Sequence, residues 1–314
     1  MDATMKNAVT EEAAAEMTNK QWIIGGGRML GPAPFLLMGI VNLSPESFSD
    51  SARGVTRHGK PLAAQNALAE LTAECRSLVA SGAAVLDLGG ESTRPGAQPL
   101  SATEECARIL PALAALREAF SQNRPEAASC PAFSADTYKA DTARAALEAG
   151  ATIINDISAW SFEPELKEVL LEHKPGYVLM HCPTRPADMQ KNPHYADVVD
   201  EVYAFLERKL EELVRGGFPE DHALIDPGIG FGKKLEHNLA LLKHIERFYT
   251  LGLPVLVGLS YKSFLGDLAG APLEERGPLT MTATALMGAR GVWAHRVHDV
   301  RAAGQALQLA HGLV

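Results

Sequence analysis

From Phe35 to Val41 the chain reads Phe-Leu-Leu-Met-Gly-Ile-Val, too short for a helix and without alternation, which predicts a strand buried on both faces as in parallel sheets. It ends on the polar Asn42. The next stretch, Leu43 to Gly59, is rich in Ser, Pro, Arg and Gly without periodicity and predicts a long mobile loop at the strand's carboxyl end. The unit then recurs. Leu68, Leu71, Cys75, Leu78 and Val79 lie at helical spacing and predict a helix over 62–81 that stops at Gly82, with Ala83 to Leu88 as strand two. The same patterning predicts helix 103–120, strand 132–136, helix 140–149, strand 152–155, helix 164–173, strand 177–181 and helix 195–215. Strand 223–226, helix 235–249, strand 254–259, helix 279–289, strand 292–297 and a last helix over 300–311 complete the series.

Eight buried strands, each followed by helical sequence, is the count of a single (β/α)8 TIM barrel in the α/β class. Ahead of it, residues 21–24 and 28–30 flank the glycines Gly25 to Gly27, which predicts an N-terminal β-hairpin plugging one end of the sheet. No linker interrupts the alternation, so we expect one domain over 21–314, with the hairpin in 21–33 and the barrel in 34–314. Residues 1–20 are expected to be a flexible extension. A doubly wound open sheet would carry a Gly-rich phosphate turn after strand one, and none is present.

Composition narrows the function classes. Of 314 residues, 46% are hydrophobic and 21% charged, and the net charge of −9 argues against a general nucleic-acid binder. Cys75, Cys106, Cys130 and Cys182 lack CxxC spacing and are expected to be reduced core residues of a cytoplasmic protein. No stretch has the length of a membrane span or the makeup of a signal peptide.

Candidate chemistry collects where a barrel works, at the carboxyl ends of its strands. Those ends carry Asn42; Asp87, Glu91, Thr93 and Arg94; Asp136; Asn155 and Asp156; His181; Asp226; Ser260, Lys262 and Ser263; and Arg296, His298 and Asp299. A single polar strand end is ordinary, but here all eight are polar. Asp136, Asn155 and Asp226 suit a heterocycle edge with several N–H donors, while Arg94, Arg296, His298 and Lys262 suit phosphate oxygens. In Asp226-Pro-Gly-Ile-Gly-Phe-Gly-Lys233, three glycines permit close backbone approach and Phe231 offers a ring. No nucleophilic triad and no HExxH spacing can be assembled.

These motifs resemble the dihydropteroate synthase family. The resemblance rests on Met38 to Asn42 with Ser44 to Asp50, Gly89 to Gly96, Ile153 to Asp156, Leu179 to His181, Asp226 to Gly232 and Arg296 to Asp299, and covers nearly the whole chain from about Gln21. It implies a transferase of folate biosynthesis: p-aminobenzoate displaces pyrophosphate from 6-hydroxymethyl-7,8-dihydropterin pyrophosphate to give 7,8-dihydropteroate. By position, Asp136, Asn155, Asp226 and Lys262 would grip the pterin, with Ile157, Met180 and Phe231 packing on its ring. Asn42, Arg94, Arg296 and His298 would hold the pyrophosphate, with Mg2+ at Asn42. Phe48, Thr93, Pro95 and Ser263 would shape the p-aminobenzoate site. Lys262, Arg296, His298 and Arg94 would carry the catalysis, in a homodimer.

The sequence departs from the family at Tyr261, where an Arg is usual, at Ser51-Ala52 in place of Gly-Gly, at Glu46 in place of Asp, and in Asp136-Thr-Tyr-Lys139, where Asp-Thr-Ser-Lys is typical. Tyr261 removes a positive charge beside the expected p-aminobenzoate site. A non-catalytic pterin-binding paralogue and a methyltetrahydrofolate-dependent corrinoid methyltransferase stand as alternatives.

Overall fold

The structure, a computed structural model, describes residues 20–43, 64–92, 98–121 and 130–313. The expected N-terminal extension over residues 1–19 and the long loop from Ser44 to Gly59 lie outside the described residues, as do Phe48, Thr93, Arg94 and Pro95.

The hairpin forms as the three glycines suggest: β1 (Trp22–Ile24) pairs antiparallel with β2 (Arg28–Leu30) around a tight turn at Gly25–Gly27. The barrel strands follow: β3 (Leu36–Asn42), β4 (Val85–Gly89), β5 (Ala132–Asp136), β6 (Ile153–Asp156), β7 (Gly176–Met180), β8 (Ala223–Asp226), β9 (Leu256–Val257) and β10 (Ala294–Val297). All are parallel, in the order β8-β7-β6-β5-β4-β3-β10-β9. A lone parallel bridge, Ile225 to Val255, with the Ile225 N–H donating to the Pro254 carbonyl at 3.0 Å, brings β9 back to β8 and closes the ring.

The apolar runs divide by alternation. Leu36, Met38, Val85, Ala132, Ile153, Val178, Leu224, Leu256 and Ala294 fill the barrel, and Trp22, Ile24 and Leu30 of the hairpin seal its lower end. Trp22 is fully buried and donates its indole N–H to the His222 carbonyl at 2.7 Å, so the plug is both apolar and hydrogen-bonded. The alternate residues, among them Leu37, Val41, Leu86, Leu88 and Ile154, meet the helices outside. These are α1 (Ala64–Ala80), α2 (Ala102–Ser121), α3 (Ala140–Glu148), α4 (Leu166–His173), α5 (Val198–Arg215), α6 (Leu235–Lys243), α7 (Ser263–Ala269), α8 (Arg276–Ala289) and α9 (Val300–Leu313).

Several boundaries differ from expectation for local reasons. The helix expected from Tyr195 begins at Val198, because Asp197 caps it by accepting from the N–H groups of Val199 and Asp200 at 2.9 and 3.0 Å. The helix expected over 235–249 ends at Lys243 and continues as a 3-10 turn over Ile245–Leu251, where Ile245 and Phe248, three apart, are both fully buried. The strand expected over 254–259 shrinks to Leu256–Val257, since Pro254 has no N–H to give a ladder. Of the four cysteines, all free, Cys106 and Cys130 are only half-buried and are not core residues: Glu105 takes the inward position on α2, and Cys130 precedes β5. No helix among the described residues is long and apolar enough to cross a membrane.

Candidate active site

The register of the sheet sets the depth of each polar side chain. Gly89 of β4 lies beside Asp136 of β5, and Asp136 beside Asn155 of β6, so Asp87 sits two residues below the rim. Arg296 rises from β10 and bridges two carboxylates, donating from Nε to Asp87 Oδ2 and from Nη2 to Asp136 Oδ2, each at 2.7 Å. Against the downward pull of burial, Asp87 and Asp136 hold the guanidinium above its ordinary range. Asn155 donates to Asp87 as well. Asp87 is fully buried, and its Oδ1 finds no partner among the described residues. Burial pushes the Asp136 carboxyl up to about 7, although Arg296 pulls it down.

On the opposite side of the mouth, Asp226 ends β8 and accepts from the Gly228 N–H at 2.7 Å. Burial raises its carboxyl to about 6, opposed by that hydrogen bond and by Lys262, Lys233 and Arg296. The turn that follows needs glycine: at φ +73, a Cβ on Gly228 would stand 1.9 Å from the His181 carbonyl oxygen. Lys262 comes from the loop after β9 and lays its ammonium 3.9 Å above the Phe231 ring. Burial brings that ammonium down to about 8.

Between the two polar walls lies an apolar floor. Ile157, Met180 and Phe231, the three residues expected to pack on a ring, form one cluster with Tyr138, Phe162, Cys182 and Met189. The last four were not anticipated. Tyr138 is the residue that departs from the family pattern, and its size is the signal that could have drawn attention to it: the ring meets Phe162 edge-on at 5.5 Å, and its hydroxyl donates to Glu91 at 3.0 Å. Glu91 also accepts from Lys139 Nζ at 2.8 Å and from the Leu100 N–H at 2.7 Å, which ties the approach to α2 to the end of β4.

At the rim, Asn42 ends β3 and is exposed. His298 sits against Ser260, Nδ1 to Oγ 2.8 Å, and the Tyr261 ring meets the imidazole edge-on at 5.8 Å. Ser263 is exposed at the start of α7, a short helix the apolar pattern did not reveal. Two polar strand ends serve structure instead of the mouth. Asp156, fully buried, accepts from the Ser158 and Trp160 N–H groups and the Ser158 and Tyr177 hydroxyls, and Asp299 accepts from the Ala302 N–H in the first turn of α9. Among the described residues no group of three or more His, Cys, Asp or Glu could hold a metal. The Asn42 carboxamide oxygen is a hard, exposed donor, the kind of single protein ligand that Mg2+ accepts when phosphate oxygens and water supply the rest.

The mouth thus pairs acidic acceptors and an apolar floor with cations, the complement of a nitrogen heterocycle bearing phosphate. Comparison with known proteins agrees. The family model for pterin binding enzymes matches residues 38–298. The dihydropteroate synthase of Synechocystis is 36% identical over 278 residues, spanning 88% of this chain and 89% of its own length. Among solved structures, Xanthomonas albilineans dihydropteroate synthase with 4-aminobenzoic acid superposes with a TM-score of 0.79 at 36% identity, covering 94% of this chain and 98% of that one. The same enzyme in complex with 7,8-dihydropteroate gives 0.77 at 33% identity over the same shares. The chain belongs to the dihydropteroate synthase family of pterin-binding enzymes.

Proposed function

We propose that this barrel mouth condenses 6-hydroxymethyl-7,8-dihydropterin pyrophosphate with p-aminobenzoate, releasing pyrophosphate and 7,8-dihydropteroate. The observation that carries the reading is the meeting of Asp136, Asn155, Asp226 and Lys262 around the Ile157, Met180 and Phe231 floor, with Arg296 beside them. The pterin lies on that floor, its N–H groups directed at Asp226 and Asp136. Departure of pyrophosphate leaves a cation on the exocyclic methylene that the electron-rich ring delocalises, so the protein's task is to neutralise the leaving group and aim the amine. Among the described residues Arg296 Nη1 makes no hydrogen bond and is left for the pyrophosphate, with His298 next to it on the same chain segment. Arg94 completes the cationic set and Phe48, Thr93, Pro95 and Ser263 the amine site. An aromatic amine is neutral and nucleophilic at working pH, which accounts for a mouth with no nucleophilic triad among its described residues.

Mg2+ held at Asn42 would neutralise the pyrophosphate oxygens. The four free thiols accord with a reducing compartment, and we assign the enzyme to the cytoplasm as a homodimer; Leu286 on α8 and Leu309 and Leu313 on α9, each exposed on two helices that pack together, are apolar side chains that would suit a second copy. The deciding experiment measures pyrophosphate release from the dihydropterin substrate with Mg2+, with and without p-aminobenzoate, alongside detection of dihydropteroate. Release that depends on the amine and yields dihydropteroate is the expected result. Pterin binding with no product would leave the non-catalytic reading.

A further inference from the structure

Two motif residues have no part in the ligand scheme above: His181, which follows β7, and Lys233, which ends the glycine-rich turn after β8. Both are buried, at 6% and 3% exposure, and they touch. Lys233 Nζ lies 3.0 Å from His181 Nδ1, 3.0 Å from the Phe231 carbonyl oxygen and 3.4 Å from the His181 carbonyl oxygen. All three partners are neutral acceptors. An ammonium can only donate, so His181 Nδ1 presents its lone pair and the ring proton resides on Nε2. Burial and the neighbouring Lys233 keep the imidazole well below its ordinary pKa, hence neutral.

A buried cation with only neutral acceptors is costly unless an anion lies close by. The nearest candidate is Asp226. No hydrogen bond joins them, but both lie against Gly228: Asp226 Oδ1 accepts from its N–H at 2.7 Å, and a Cβ there would stand 3.2 Å from Lys233 Nζ. The other cations facing Asp226 have commitments elsewhere. Arg296 is bonded to Asp87 and Asp136, and Lys262 rests on the Phe231 ring. Toward Lys233 itself face Asp226, Lys262, Cys182 and His181. Among the described residues, Lys233 is within ion-pair distance of no carboxylate.

We propose that Lys233, held in place by His181, is a counter-charge that, beside Lys262 and the Gly228 N–H, helps keep Asp226 anionic in its buried site, which makes Lys233 a positioning residue for pterin recognition. Without it, burial would push Asp226 further toward the neutral acid, and at mildly acidic pH the site would offer a ring with N–H donors a protonated carboxyl instead of a charged acceptor. Burial pushes the Lys233 ammonium down and the Asp226 carboxyl up, and each group opposes that push on the other, so each favours the other's charged form. The inference rests on the reading of Asp226 as the pterin acceptor.

The test is calorimetric titration with 6-hydroxymethylpterin, which carries no phosphate to titrate, over about pH 5.5 to 8.5, beside thermal melts. In Lys233→Met the midpoint of the Asp226 step of the acid loss of affinity should rise by about one pH unit while the Asp136 step stays in place, with affinity near pH 8 close to wild type. His181→Asn, whose carboxamide oxygen occupies the Nδ1 position, should retain the wild-type midpoint, and His181→Leu should shift it upward. A uniform loss of affinity at every pH with an unmoved midpoint, or no change at all, would overturn the proposal. If Lys233→Met does not fold, His181→Leu decides on the same criterion. Asp226→Asn separates the layers: retained pterin affinity in that variant removes the Asp226 assignment and the proposal together. Lost affinity there, with an unmoved Lys233→Met midpoint, removes the proposal alone.

Discussion

Asn155 donates its side-chain N–H to Asp87 Oδ2 at 2.9 Å, the same oxygen that receives Arg296 Nε at 2.7 Å. One fully buried carboxylate therefore orients both the Asn155 amide, which the proposed scheme gives to the pterin, and the Arg296 guanidinium, which it gives to the pyrophosphate. Asp87→Asn should destabilise the fold by about 3–5 kcal/mol, because it breaks one arm of a buried ion pair, and should lower kcat/KM as well. Urea denaturation and steady-state kinetics on the same preparation check both; an unchanged denaturation midpoint would mean that Asp136 alone satisfies Arg296.

Arg296 bridges two buried carboxylates and in the proposed scheme also takes the pyrophosphate, so its removal should not read as a simple binding defect. Arg296→Ala leaves Asp87 and Asp136 without their shared cation and should lower stability by about 3–5 kcal/mol. Arg296→Lys keeps a charge but not the two-armed geometry, and should weaken binding of the pterin pyrophosphate while largely sparing the unphosphorylated pterin. Calorimetry with the two ligands distinguishes them, and equal losses would confine Arg296 to a structural role.

The carboxylates set an acid limit and Lys262 an alkaline one. In the proposed scheme Asp226 and Asp136, raised to about 6 and about 7, accept from the pterin as carboxylates, so affinity should fall as pH drops through that range. Lys262, lowered to about 8, loses its charge as pH rises through that value. The pH profile of kcat/KM should be bell-shaped with its top between those limits. A flat profile from pH 5 to 9 would contradict the assigned roles.

Tyr261 takes a left-handed backbone conformation, φ +56, and rests its ring against His298 where the family usually has a charged Arg. Tyr261→Arg should lower KM for p-aminobenzoate by about two- to fivefold at low salt, with kcat unchanged, as expected of one exposed charge near a carboxylate. The gain should fade at high ionic strength. A salt-independent change would point to altered loop geometry.

Trp22 offers a contrast far from the mouth. Trp22→Ala empties the barrel's plug and should cost about 3–5 kcal/mol in denaturant titration while leaving both KM values unchanged. A shift in either KM would show that the plug communicates with the rim.

The alternation of apolar runs with glycine-terminated helical stretches made the barrel legible, since strands buried on both faces leave continuous hydrophobic sequence. Shorter elements were not legible. The helix Ser263–Ala269 is under two full turns, too brief for periodicity to register. At the mouth, residue type and strand end sufficed to find Asp136, Asn155, Asp226 and Arg296. Pairing was hidden: Arg296 meets Asp87 across 209 positions and Lys233 meets His181 across 52, and no local pattern couples them. Direction was hidden as well, as Asp156 shows by turning away from the site to receive the Tyr177 hydroxyl at 2.8 Å.

The ring of strands is thinnest where β8 meets β9, joined by the lone Ile225 to Val255 bridge. Asp226 ends the first of these strands and Lys262 lies in the loop after the second, and in the proposed scheme both hold the pterin. On that scheme a bound pterin would act as a rivet across the barrel's weakest seam: occupancy should slow amide exchange along β8 and β9 before it does so anywhere else in the sheet, and the empty protein should begin to open there.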